Sequence, residues 1–108
     1  MKLSDLIAAM SFEVLLAGDG SKDLSGCYTG DLLSDVMGNA GDGDLLVTIQ
    51  AHRNTVAVAT LKDCPAIIIC NDRPIPDDMI KAAEGENIAL LRTKENQYTV
   101  SGKIYNLL

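Results

Sequence analysis

The chain has 108 residues, 47% of them hydrophobic, and a formal net charge of −6. That length fits one domain with its own core, and the apolar fraction excludes a disordered acidic tail. Nucleic-acid binding is excluded as well, because it needs a basic stripe to displace phosphate counterions, and the nine Lys and Arg are scattered without a run.

Ser4 is a good N-cap, and Leu3, Leu6, Ile7 and Met10 recur at helical spacing, which predicts a first helix over 4–10. Residues 12–17 form a short apolar strand stopped by Gly18-Asp19-Gly20. A second extended piece over 24–29 is kept irregular by Gly26 and Gly30. Residues 31–39 place Leu32, Leu33, Val36 and Met37 on one helical face, with Asp31 at the end where a carboxylate is favoured.

The segment 44–50 (DLLVTIQ) is a β-branched strand, and 54–63 a helix capped by Asn54, with Val56, Ala57, Ala59, Thr60 and Leu61 to pack. Residues 66–70 (AIIIC) lack polar alternation, the mark of a strand buried on both faces. Pro76 heads a helix over 76–84, a strand follows at 88–92, and 95–107 close the chain as a helix with Tyr98, Ile104, Tyr105 and Leu107 or Leu108 inward. The order α-β-α-β-α-β-α predicts an α/β fold, a mostly parallel central sheet with helices on both faces and right-handed crossovers.

Met1 opens directly into the first amphipathic segment, without the basic and apolar regions of a signal peptide. The longest apolar run, AIIIC, falls far short of the ~20 residues a spanning helix requires. Cys27, Cys64 and Cys70 are odd in number and lack CxxC spacing, so they read as reduced thiols in a cytoplasmic protein.

In a parallel sheet, ligands bind beyond the carboxyl ends of the strands, where loops diverge and helix N-termini point outward. Those ends carry Gln50, His52, Arg53 and Asn54, then Asn71, Asp72 and Arg73, then Arg92, Thr93 and Lys94. Three Arg and one Lys there suggest an anionic or phosphorylated small molecule; polar loops without a ligand are the plainer alternative. His52 is either a ligand-contacting group or a cap on the following helix, and a lone histidine makes no metal site. Asp31 and Asp35 lie one helical turn apart, a spacing that serves a metal or acid–base pair or simply a solvated face. No phosphate loop, G-x-S-x-G, H-E-x-x-H or calcium loop occurs, and no nucleophile–base pair can be nominated.

The stretch Ser25-Gly26-Cys27-Tyr28-Thr29-Gly30-Asp31-Leu32-Leu33-Ser34-Asp35-Val36-Met37, with VTIQAHRN at 47–54, AIIICN at 66–71 and Leu91-Arg92-Thr93, resembles the DRTGG domain family. The resemblance covers nearly the whole chain and is narrowest to stand-alone bacterial members. It implies a fold like the N-terminal domain of HPr kinase/phosphorylase, and an accessory, regulatory or dimer-forming role like that of such domains in phosphotransacetylases and beside CBS domains. Stand-alone members tend to lie beside iron-hydrogenase and sensor-kinase genes. The literal Asp-Arg-Thr-Gly-Gly string is absent; Asp23-Leu24-Ser25-Gly26-Cys27 stands near its place.

The expectation is therefore a non-catalytic, homodimeric regulatory module without metal or cofactor, binding a small anionic, phosphorylated or nucleotide-like ligand. Its candidate contacts are Asp31, Ser34, Gln50, His52, Arg53, Asn54, Asn71, Arg73 and Thr93. The alternative is a protein-interaction module coupling to a sensor kinase or a hydrogenase-associated partner.

Overall fold

Two segments without polar alternation, LLVT and AIII, lie side by side at the middle of a five-stranded sheet, buried at every position. The computed structural model describes residues 1–108. Along the chain run α1 (Leu3–Ala9), β1 (Glu13–Leu16), β2 (Cys27–Thr29), α2 (Leu33–Asn39), β3 (Leu45–Thr48), α3 (Arg53–Leu61), β4 (Ala66–Ile69), α4 (Asp77–Gly85), β5 (Ala89–Arg92) and α5 (Gln97–Leu107). The sheet order is β1-β5-β4-β3-β2. β2 to β5 pair in parallel, and β1 joins β5 antiparallel at one edge. This is the expected mostly parallel α/β architecture.

Successive strand residues point to opposite faces, and each face has its own core. On one side Leu45, Val47, Ile68 and Leu91 pack against Leu3 and Leu6 of α1 and Val100 and Ile104 of α5. On the other, Leu46, Ile67, Ile69 and Leu90 meet Val36 of α2, Val56 and Ala59 of α3, and Met79 and Ala83 of α4. Each fully buried Leu or Ile contributes about 1.5–3 kcal/mol. The turn after β1 depends on Gly18, whose φ is +64° and where an added Cβ would lie 2.5 Å from the Ala89 amide nitrogen.

Several element edges differ from expectation, each for a local reason. α2 starts at Leu33, because Asp31 is drawn away to the end of β3, and only Val36 of its four apolar residues is buried. Leu32 is 68% exposed. α3 is capped by His52 rather than Asn54, the ring Nδ1 accepting from the Asn54 amide. Leu61 points to solvent, while the unexpected Thr55 is buried and donates to the Gln50 carbonyl. Pro76 precedes α4 as its cap residue, and Asn96 caps α5 through the Thr99 amide. Tyr98 and Tyr105, expected inward, are 88% and 86% exposed; Val100 and Ile104 are the buried pair.

Candidate ligand-binding rim

All four parallel strands end on one rim, where the chain turns into α2, α3, α4 and α5. At its centre Asp31 Oδ1 accepts from Thr48 Oγ1 at 3.0 Å, the Ile49 amide at 2.9 Å and Gln97 Nε2 at 2.9 Å. One carboxylate thereby joins the β2–α2 loop, the end of β3 and the first turn of α5. Thr48 is fully buried, and its hydroxyl also accepts from the Gln50 amide. Charge-assisted bonds of this kind are among the stronger ones in a fold, so Asp31 acts as a staple. Asp35 is not its partner: Asp35 accepts from Tyr28 Oη at 2.5 Å and from Asn39 Nδ2 at 2.9 Å. That hydrogen bond raises the Tyr28 phenol above its ordinary pKa. The shared face expected for the two carboxylates does not form, because Asp31 lies ahead of α2.

Around this centre lie the other candidates. Ser34 is exposed in the first turn of α2. Gln50 supplies backbone bonds to Thr48, Thr55 and His52. His52 uses Nδ1 for the cap, which puts the proton of the neutral ring on Nε2. Arg53 and Asn54 are exposed at the head of α3 and line a groove of about 470 Å³ with Leu61, Ala82 and Glu86.

Asn71 and Asp72 both adopt left-handed backbone, with φ of 60° and 52°. Their amides donate to the Glu95 and Thr93 carbonyls, docking the β4–α4 loop onto the β5–α5 loop. Thr93 is 8% exposed, and its hydroxyl accepts from the Glu95 amide. Arg73 is left exposed beyond this junction.

The structure therefore brings the candidates to one end of the sheet without closing a pocket around them. None of the five principal cavities holds more than two of the nine. Arg92 is engaged by Glu13 at 2.6 Å and lies 3.8 Å from Asp72, and Glu13 holds its guanidinium above its usual pKa. Arg53, Arg73 and Lys94 have no ionic partner, nor do Lys22 and Lys81 away from the rim, whereas Lys2, Lys62, Arg92 and Lys103 are paired. Gln97 carries no local mark in the sequence, because its contact with Asp31 spans 66 residues.

The thiols of Cys27, Cys64 and Cys70 are each pushed up to about 11, chiefly by burial. They are therefore protonated and poorly nucleophilic near neutral pH.

A parallel sheet covered by helices on both faces, with its polar loops gathered beyond the strand ends, defines a small α/β domain of the open-sheet class. The family model described as HPr Serine kinase N terminus matches residues 48–108, more than half of the chain. The chain belongs to that family and is a DRTGG-like domain. Over 43 residues, 40% of this chain, it is 56% identical to the HPr kinase/phosphorylase of Streptococcus uberis, and that match spans only 14% of the longer protein. A solved structure of similar fold is that of the CBS and DRTGG domains of the regulatory region of Clostridium perfringens pyrophosphatase, complexed with its activator diadenosine tetraphosphate. The likeness has a TM-score of 0.67 over 93% of this chain and 44% of the other, at 14% identity.

Proposed function

We propose that this domain is a non-catalytic regulatory module that binds a small anionic or nucleotide-like ligand on the rim at the carboxyl ends of its parallel strands. The observation that carries this reading is the set of exposed, unpaired cations there, Arg53, Arg73 and Lys94, in a chain whose net charge is −6. Arg53 is the first residue of α3, where the helix dipole disfavours a cation by about 0.3–1 kcal/mol. A bound anion would convert that penalty into an attraction.

The similarity to a pyrophosphatase regulatory region solved with a dinucleotide activator supports a nucleotide as the first ligand class to try. A regulatory role without catalysis agrees with a family match to the N terminus of the kinase. We place the domain in the cytoplasm as a homodimer, the first in keeping with three free thiols. A second reading, coupling to a sensor kinase or a hydrogenase-associated protein, draws on Leu32, Met37 and Leu61, all exposed on the α2–α3 side.

The test is a thermal-shift and calorimetric screen of nucleotides, diadenosine tetraphosphate and phosphorylated metabolites. A bound compound should lose affinity about tenfold or more in Arg53→Ala and in Arg73→Ala, as expected when a charge-assisted contact is removed. Binding unchanged in both variants, or no binding by any compound, overturns the rim as the site.

A further inference from the structure

We infer that two copies of this chain associate through α5, packed antiparallel about a two-fold axis between Ser101 and Gly102. The inference deepens the homodimer reading above and assigns its interface.

Tyr98 and Tyr105 are the most exposed large apolar side chains of the protein, at 88% and 86%. Seven residues apart, they lie one above the other on a helix, on the flank away from the buried Val100 and Ile104. Between them the surface is low. Ser101 is half-buried, its hydroxyl 2.6 Å from Thr29 Oγ1, and a Cβ added at Gly102 would meet nothing within 4 Å. Glycine in a helix interior weakens it, and no packing inside the molecule requires one here.

The stripe is complementary to itself. A two-fold axis midway between Ser101 and Gly102 sets Tyr98 of one copy opposite Tyr105 of the other, and Ser101 opposite Gly102. Each face then offers two rings at the ends and a shallow seat at the centre, the arrangement an isologous interface needs. Two rings edge-on or offset across such a seat gain beyond their buried area.

Charge selects the same face. Each copy carries a net charge of −6, so most mutual approaches bring carboxylates together. Residues 96–108 contain no Asp or Glu, and their one charged side chain, Lys103, is held by Glu95 at 2.7 Å. Four buried tyrosines remove roughly 600–1,000 Å² from water. Leu108, 45% exposed and in the groove beside Tyr105, brings the total to about the 1,000 Å² of a specific interface.

Sedimentation equilibrium on the full chain, from low to high micromolar, tests the assignment together with circular dichroism of each variant. The wild type should be a dimer, and Tyr98→Glu and Tyr105→Glu should each raise the dimer Kd about 30-fold or more. Gly102→Arg fills the central seat while improving the helix, so it should give a monomer that melts no lower than wild-type monomer. It keeps the test decisive if a tyrosine variant loses its fold. Lys81→Glu, on α4, should leave the dimer intact. A wild-type monomer at the highest concentration overturns both the homodimer and this interface. A dimer indifferent to Tyr98→Glu, Tyr105→Glu and Gly102→Arg overturns the interface alone, as does assembly lost equally in Lys81→Glu.

Discussion

The two ends of the sheet differ in how their cations are paired, although the strands and helices between them are shared. Beyond the carboxyl ends lie the unpaired Arg53, Arg73 and Lys94 and the N-termini of four helices. Beyond the opposite end is a groove of about 600 Å³ lined by Asp23, Asp42, Asp63 and Glu86 together with Lys22. There Lys62 lies 3.5 Å from Asp42. Glu86 is the C-cap of α4, a position where the helix dipole also opposes a carboxylate. Carboxylates lie at both ends, Asp72, Asp77 and Asp78 among them at the carboxyl rim. What sets the rim apart is three cations without an ionic partner against one, Lys22, in the opposite groove. Partner chemistry follows from the local arrangement more than from the total.

That contrast can be broken by single substitutions. The largest effect belongs to Asp31→Ala, which leaves Thr48 Oγ1, the Ile49 amide and Gln97 without their acceptor. It should cost about 3 kcal/mol in urea unfolding, given the penalty for unmet buried donors. Asp31→Asn, which keeps an oxygen, should cost less. A loss below about 1 kcal/mol in Asp31→Ala would show that the rim is not stapled there.

His52→Ala removes the cap on the Asn54 amide and should cost about 1 kcal/mol by the same measurement. Exchanging charge at either end of the sheet should separate stability from binding. Arg53→Glu and Glu86→Lys each satisfy a helix dipole and should stabilise by about 0.5 kcal/mol. Only Arg53→Glu should abolish ligand binding at the rim. Lys22→Glu, in the groove beyond the opposite end, should leave binding intact; if it weakens the ligand equally, the unpaired cations of the rim are not the site.

The smallest effect is that of acid on the exposed Asp23, whose pKa is lowered from 3.8 by its hydrogen bond and ion pair with Lys2. A carboxylate with a lowered folded pKa adds stability fully present above its unfolded value. That stability is lost as pH falls from about 3.8 through the folded pKa. Lys2→Met should therefore flatten the acid limb of the melting-temperature profile below that pH and leave neutral stability nearly unchanged. An unaltered acid limb would assign the loss to other carboxylates.

The sheet was legible because β3, β4 and β5 carry unbroken apolar runs between helix-length segments, and burial on both faces demands that pattern. The rim followed from topology alone, since parallel strands must end together. The roles within the rim did not. His52 takes the cap role that is one of its two readings. Asp31 and Thr93 read as ligand contacts on the rim, yet Asp31 bonds partners 17, 18 and 66 residues away. Thr93 is buried and closes a loop, while His52 stays exposed and caps a helix end.

The C-terminal helix shows the same division. Composition determined that residues around 95–107 form an amphipathic helix, but two apolar stripes share it, Tyr98 with Tyr105 and Val100 with Ile104. Helical spacing cannot rank them, because both satisfy it. Docking on β2 and β3 decided for the aliphatic pair and left the tyrosines outside. The order of elements, the apolar core and the acidic total are legible along the chain, because all are properties of neighbouring residues. How Asp31 is tied and which cations stand free depended on the tertiary structure, because the partners of Asp31 and Arg92 come from elements distant in sequence.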